Sequence, residues 1–514
     1  MDRFNLLVAD VTPTEVGQLS PDGRWRWDGA AWRPVSVVLP AWAGTKLRST
    51  ATWASVAFVL AVGLTADQAL RTGKFGLATS LTFVIGAFAL LWVGRPMRLQ
   101  SRILVAIAVL FAAWLSLRAS PWLLWPDLIA ALLLLGAAAS LAVRGSIYDL
   151  GAGDAFARSF HGGVHLLAGI GFVARPILQS RGRVSSAIPF ARGVLIALPI
   201  AALLAGLLAS ADPVFASFFN LNIDLGQLLL DVFFITAGSF VAAGLLRLAA
   251  SEPLDRVDGP TWRLGATEAL VVLAILDAVF VAFALAQVLA ASGAAAATLR
   301  SAGVTYSDYA RSGFFQLLWV SGITLALLIF FSRISAFKER STRLAFLVLA
   351  ECAIALTLMI VVVAFRRLSL YEEAYGFTML RLYSHVFAVW TGLVFLLLAA
   401  DFIGVWRRRR WFIGATATTA AIVLLGLNIA NPEAIVVGLN TNHAQITHKI
   451  DGAYLAELSS DATPELLASR AGLDPVLRKQ VTDAACAGPR GYSPPVAAFN
   501  WADAQAASAR QTGC

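Results

Sequence analysis

The sequence predicts an all-α polytopic membrane protein of about 11 transmembrane helices, with a small β-hairpin module ahead of them and a small helical domain after the last. Three observations carry this. Of 514 residues, 58% are hydrophobic and only 14% charged, and the mean hydropathy is +0.73, more apolar surface than a soluble fold of this length hides. The apolar residues fall in runs long enough to span about 30 Å of hydrocarbon. The formal charge of +9 is spread as short Lys/Arg clusters between those runs, the pattern of cytoplasmic loops. A nucleic-acid partner calls for one continuous basic face, so none is expected.

Residues 1–45 form the first expected domain, a cytoplasmic module. Ser20-Pro21-Asp22-Gly23-Arg24-Trp25-Arg26-Trp27-Asp28-Gly29-Ala30-Ala31-Trp32-Arg33-Pro34 places two Asp-Gly turns among alternating aromatic and basic residues, a short β-meander whose surface is mostly tryptophan. A lone hairpin is marginal in water, so the module leans on the bilayer, the rest of the chain or a protein partner. These residues lack a charged segment followed by an apolar one, so the first membrane helix is expected to serve as the insertion signal.

The membrane domain is expected over 46–430, with helices at 51–69, 76–93, 103–118, 122–143, 190–209, 226–248, 265–291, 312–332, 344–365, 380–403 and 411–429. With the N-terminus in the cytoplasm, roughly 21 basic residues fall inside against about 8 outside, which places the C-terminus outside. Trp53, Trp92, Trp122, Trp319, Trp406 and Trp411 stand at expected helix ends, where an indole keeps its N–H wet. The glycine-broken segment 160–178 reads as an interfacial or re-entrant helix. Its His161 and His165 share a helix face, but no carboxylate or cysteine neighbours them, and no metal site is assigned.

Two acids fall within expected spans. Asp277 lies near the middle of 265–291 and Glu351 in the inner half of 344–365, where a charge is costly unless paired, protonated or facing water. Each is either a structural carboxyl bonded to a neighbouring helix or part of a proton or ion relay.

Residues 431–514 turn polar and read as a small helical extracytoplasmic domain. Short helices are expected at 451–458 and 462–467, the second with Asp461 as its cap, and further helices at 474–487 and 498–510. Three cysteines are too few for a disulfide scaffold, yet Cys486 and Cys514 share this outer tail and are expected to pair. Cys352 falls within a span and is expected as a buried thiol.

The pieces Ala211-Asp212-Pro213-Val214-Phe215, Tyr375-Gly376-Phe377-Thr378-Met379-Leu380-Arg381, Asn431-Pro432 and Asp451-Gly452-Ala453-Tyr454-Leu455-Ala456-Glu457-Leu458-Ser459 together resemble the bacterial integral membrane family known as domain of unknown function 4173. The resemblance covers roughly residues 90–514 and implies a multi-pass fold in the bacterial plasma membrane. It carries no catalytic residue and no cofactor onto this chain.

The stretch 366–404 holds the densest set of polar groups beside a span. On the derived topology Asp212, Glu372, Glu373, Tyr375, Arg381, Tyr383 and His385 all belong to the outer side, and Arg381 and His385 lie on one helical face. They are expected to form a polar vestibule roofed by the C-terminal domain, with Arg381 paired to Glu372 or Glu373; the plainer account is a loop pinned to a helix end. No catalytic residue, metal or cofactor is assigned. The favoured function is a non-enzymatic sensor or assembly protein joining the two sides of the bilayer through its N-terminal module and outer domain. Alternatives are an ion- or proton-coupled transporter, or a lipid-linked transferase using Asp67, whose short loop leaves little room for a substrate.

Overall fold

A computed structural model describes residues 18, 25–27, 32–34, 46–93, 97–179, 197, 204, 208, 225–254, 263–291, 313–405 and 410–514. Residues 1–44 and 45–514 are two compact units. In the first, β1 (Trp25–Trp27) pairs antiparallel with β2 (Trp32–Pro34), Trp27 opposite Trp32.

The second unit begins with α1 (Trp53–Arg71), opened by a reciprocal cap between Thr52 and Ser55, then α2 (Leu77–Val93), α3 (Leu99–Leu117) and α4 (Pro121–Ser140). Two shorter helices, α5 (Ala152–Leu167) and α6 (Gly169–Gln179), precede α7 (Leu225–Ala249). Next come α8 (Ala266–Ala291), α9 (Phe314–Ile334), α10 (Arg340–Tyr375), α11 (Met379–Ile403) and α12 (Trp411–Ala430). Nine helices among the described residues are long and apolar enough to cross a membrane, and α2 is a shorter apolar one. Their outward faces are apolar too: Val271, Ile275 and Val279 of α8 are all exposed, the inside-out pattern of helices that meet lipid.

Two large apolar clusters lie in the bundle, with a smaller one of Phe280, Phe314 and Ile360 beside the second. One gathers Leu90, Val105, Leu135 and Leu246 from α2, α3, α4 and α7; the other gathers Leu273, Leu328, Ile354 and Phe395 from α8 to α11. Hydrocarbon tails solvate leucine as well as another helix does, so close backbone approach matters more than apolar area. A Cβ on Gly238 of α7 would lie 2.5 Å from the Ala66 Cβ of α1, and Ser239 donates to Val59 O at 3.2 Å. At one end of this pair Arg71 bridges Asp67, at 3.1 Å, and Asp231.

The tail follows α12 after one residue. Asn431, at φ 54°, ends α12 and caps α13 (Pro432–Thr447) with its own side chain. Beyond it lie α14 (Gly452–Glu457), α15 (Thr463–Ser469), α16 (Pro475–Cys486) and α17 (Trp501–Gly513), packed around Val437, Leu455, Leu466, Leu477 and Val481. Cys486 and Cys514 are bonded.

Several expectations change. The charged stretch before Gly376 is not a loop: α10 continues to Tyr375, so Tyr371, Glu372 and Glu373 are its last turns. At 36 residues it is about 54 Å long, well beyond the hydrocarbon thickness. Helix α13 answers to no expected element, because its mixed composition lacks a clean stripe. Cys352 is a free thiol, exposed on the outer face of α10 rather than buried; lying within a span does not decide which face a residue takes. Trp411 is 95% covered rather than interfacial (5% exposed). Asp461 caps no helix, since α15 starts without a side-chain cap. The segment 160–178 is covered by α5 and α6, broken at Ala168. The expected span 190–209, Asp212 and Trp406 lie outside the described residues, save 197, 204 and 208.

Gly238→Leu should destabilise the protein by about 1–3 kcal/mol by overpacking the α1–α7 contact, read as a lowered melting temperature in detergent. Gly136→Leu, where an added Cβ meets nothing within 4 Å, should leave it within experimental error. Equal effects would remove the close approach as the cause.

Candidate functional site

The turn 376–378 between α10 and α11 is where membrane helices meet the tail. Gly376 takes φ 76°, and an added Cβ would crowd Asn440 Oδ1 at 2.9 Å. Asn440 reads the turn as a strand would: its Oδ1 accepts from Phe377 N at 2.9 Å and its Nδ2 donates to Phe377 O at 2.8 Å. Met379 N donates to the Tyr454 hydroxyl at 2.7 Å. Thr378 caps α11 by accepting from Arg381 N.

Arg381 does not turn to the glutamates. Its Nη1 donates to the Tyr375 and Gly376 carbonyls, and its guanidinium lies 4.3 Å from the Tyr371 ring centre. Those carbonyls end α10, where the helix dipole is negative and a cation is favoured. Glu372, 5% exposed, faces His385 instead, with Nδ1 to Oε1 at 3.2 Å; His385 Nε2 lies 3.1 Å from Ser369 Oγ, and its ring meets Phe365 edge-on.

Beside this turn a cleft of about 790 Å³ opens between span ends and tail. Glu373, Tyr375 and Arg381 form one wall and His443, Lys449 and Tyr454 the other. Of the residues singled out in sequence, Glu373, Tyr375 and Arg381 therefore reach the cleft and Glu372 and His385 form a pair behind it. Tyr383 leaves: its hydroxyl donates to Trp122 O at 2.8 Å and its ring lies against the Trp122 ring, joining α11 to α4. Asp277 is buried (8% exposed) with neither carboxylate oxygen hydrogen-bonded among the described residues, and Glu351 Oε1 is alike. His161 and His165 are buried, their Nε2 atoms 3.1 Å apart. Among the described residues no group of three or more His, Cys, Asp or Glu could hold a metal ion.

A second polar centre lies where the tail docks, and sequence reasoning missed it. Asp461 Oδ2 accepts from the backbone N–H groups of Ala119 and Ser120, both at 2.8 Å, and Arg118 Nη1 approaches its Oδ1 at 3.4 Å. Arg118 also donates to Asn428 O, and Asn500 donates to Arg118 O at 2.8 Å. Asn428 in turn donates to the buried Asp127 at 2.7 Å. Glu433 accepts from both the N–H and the hydroxyl of Ser459 at 2.8 and 2.7 Å. Burial raises the Glu433 carboxyl, against the pull of its serine donors. Burial also raises Asp461, with the Ala119, Ser120 and Arg118 donors drawing it back toward the charged form. These residues are scattered over 382 positions of sequence, so no spacing rule unites them; Arg118 two residues before Ser-Pro at a span end was the one local sign.

Asp461→Ala removes the acceptor of two backbone amides and a partner of the half-buried Arg118. It should cost about 3–5 kcal/mol and free the tail, read as earlier melting and as proteolysis of the tail under conditions where the parent protein resists. Unchanged resistance would show that docking does not depend on this carboxylate.

A family model described as domain of unknown function (DUF4153) matches residues 105–469. The match runs from within α3 to the end of α15 and so takes in the second apolar cluster, part of the first, the turn 376–378 and Asp461. It is an uncharacterised family, as the resemblance implied, under a different number from 4173. No curated protein and no solved structure matches the chain.

Proposed function

We propose, from the premise that this chain belongs to the family described as domain of unknown function (DUF4153), that it is a non-enzymatic membrane sensor or assembly protein. Its receiving site is the cleft between the turn 376–378 and the tail. The observation that carries this reading is the double wall of that cleft. Arg381 and Tyr375 come from the ends of membrane helices, while His443, Lys449 and Tyr454 come from the tail. An occupant touching both walls favours one spacing of tail and turn over others. Helix α10 leads from that turn to the other end of the bundle without a break, so a shift at Tyr375 is carried as a rigid rod rather than absorbed.

The charge bias supports a bacterial plasma-membrane protein with its N-terminus in the cytoplasm and tail outside. In that setting residues 1–45, 46–430 and 431–514 act as an inner tryptophan module, a membrane domain and an outer domain, with protein partners at either polar domain. The resemblance to domain 4173 belongs to the same reading. Against the transferase alternative stands the engagement of Asp67 by Arg71 and Gln68. A proton-coupled transporter keeps one specific observation in its favour: the buried Asp277 carboxylate without a hydrogen-bond partner among the described residues.

Single cysteines placed at Ser20 and at the exposed Val476, in a chain with Cys352, Cys486 and Cys514 replaced by serine, should react from opposite sides with an impermeant thiol reagent. Labelling from one side refutes the orientation. Vesicles holding the full chain should pass no more protons down an imposed pH gradient than empty ones. A flux abolished by Asp277→Asn would replace the sensor reading with transport.

A further inference from the structure

At the end of the bundle opposite the tail, a second cleft of about 670 Å³ lies between the start of α3, the 144–150 loop and α5. Arg98, Arg144 and Arg158 line it, and the acids on its wall are Asp149 and Asp154. Asp154 is engaged by Arg410 at 2.5 Å and by Gly151 N at 3.2 Å. Two of the arginines are bonded to backbone carbonyls. Arg158 donates to the carbonyls of Ser140 and Leu254 at 3.1 and 3.2 Å, and Arg98 to Gly145 O at 3.0 Å. Carbonyls fix a guanidinium without cancelling its charge. Gly145, at φ 102°, turns the loop so that this carbonyl is offered, and a Cβ there would meet Leu141 Cδ2 at 2.9 Å and the Arg158 guanidinium at 3.3 Å.

Helix α3 adds a second source of positive potential. Its N-cap is Arg98, which supplies no side-chain cap, and its first intrahelical bond runs from Arg102 N to Arg98 O at 3.2 Å. The amides of Leu99 and Gln100 come before that bond, at the positive end of a 19-residue helix, beside the arginines. Anions bind at such ends when charged donors converge on them.

The cleft also continues into an apolar track. Leu99 lines it and is 73% exposed, and Ile103, Leu110 and Leu117 are exposed farther along α3. Their spacing of four, seven and seven residues keeps them on one face over about 27 Å, a path that an acyl chain follows and a soluble anion has no use for. We infer that this cleft binds the phosphate of an anionic phospholipid, with Arg98, Arg144 and the start of α3 on the headgroup and an acyl chain along the α3 track.

The test uses the full-length protein, delipidated in detergent and titrated with phosphatidylglycerol or phosphatidylcholine of matched chains, with bound lipid counted by native mass spectrometry. Phosphatidylglycerol should bind about tenfold more tightly, and Arg98→Gln combined with Arg144→Gln should erase that preference. Lys338→Gln, an exposed lysine at the same end of the other apolar cluster, should preserve it. Equal binding of the two lipids, or an equal loss with Lys338→Gln, reduces the effect to general surface charge and overturns the site. Inorganic phosphate, measured on the same protein by calorimetry, should bind far more weakly than phosphatidylglycerol; binding as tight assigns the cleft to a soluble anion and overturns the lipid. If the double variant melts early, Arg144→Gln alone, on the loop, should still weaken phosphatidylglycerol by about threefold, and no change there overturns the proposal.

Discussion

Apolar helices in lipid gain little by covering one another's leucines, so the contacts that decide how this bundle closes are close backbone approaches and the polar contacts near its ends. The Asp461 carboxylate is the chief of these. It takes the amides of Ala119 and Ser120, which follow α3, together with the Arg118 guanidinium, and the same arginine grips the carbonyl of Asn428 near the end of α12. One side chain from the tail thus gathers the ends of three membrane helices, since Ser120 precedes α4. Left without it, the amides of Ala119 and Ser120 would lose their acceptor, which costs more than a surface ion pair is worth.

Helix α12 runs from one polar centre to the other. Near its first turn, Gly414 packs against the Ile147 carbonyl and Thr418 meets the Tyr148 hydroxyl at 3.1 Å, with Arg410 on Asp154 just ahead. Near its last turn Asn428 reaches Asp127. The same helix therefore supports the arginine-lined cleft at one end and the docked tail at the other. Tyr383 on Trp122 is a second tie between the two apolar clusters, made at the tail end. These ties are few, and most are polar.

The spans were legible because length and apolarity are one-dimensional properties. Helices α1, α2, α4, α7, α8, α9, α11 and α12 fall within a few residues of their expected limits. What was not legible depended on faces and on distant partners. The extension of α10 through Glu372 and Glu373 looked like a loop because charge marks the edge of the bilayer, not the end of a helix. Arg381 was expected on a carboxylate and instead satisfies helix-end carbonyls, an acceptor every helix offers and no residue letter advertises. Cys352 shows the same blindness from the other side: a hydrophobic run records that a residue lies in the membrane, and only packing decides whether it meets protein or lipid. Of the residues expected around the outer site, Glu373, Tyr375 and Arg381 were found at one cleft, since neighbours in sequence stay neighbours at a helix turn. The docking cluster joins Arg118, Asn428, Glu433 and Asp461, and nothing local to any of them signals the others.

The separation between Asp461 and its acceptor-seeking partners has a consequence in time. A ribosome adding about 5–20 residues per second needs roughly 20–70 s to travel from Ser120 to Asp461, 341 residues later. Throughout that interval the first helices are already in the membrane, with the Arg118 guanidinium and two amides awaiting a carboxylate that does not yet exist. Asn431 leaves the tail a single residue of slack after α12, so the carboxylate is delivered close to its place once the last span is inserted. A chain that ends before Asp461 leaves the Ala119 and Ser120 amides without the acceptor that the tail supplies.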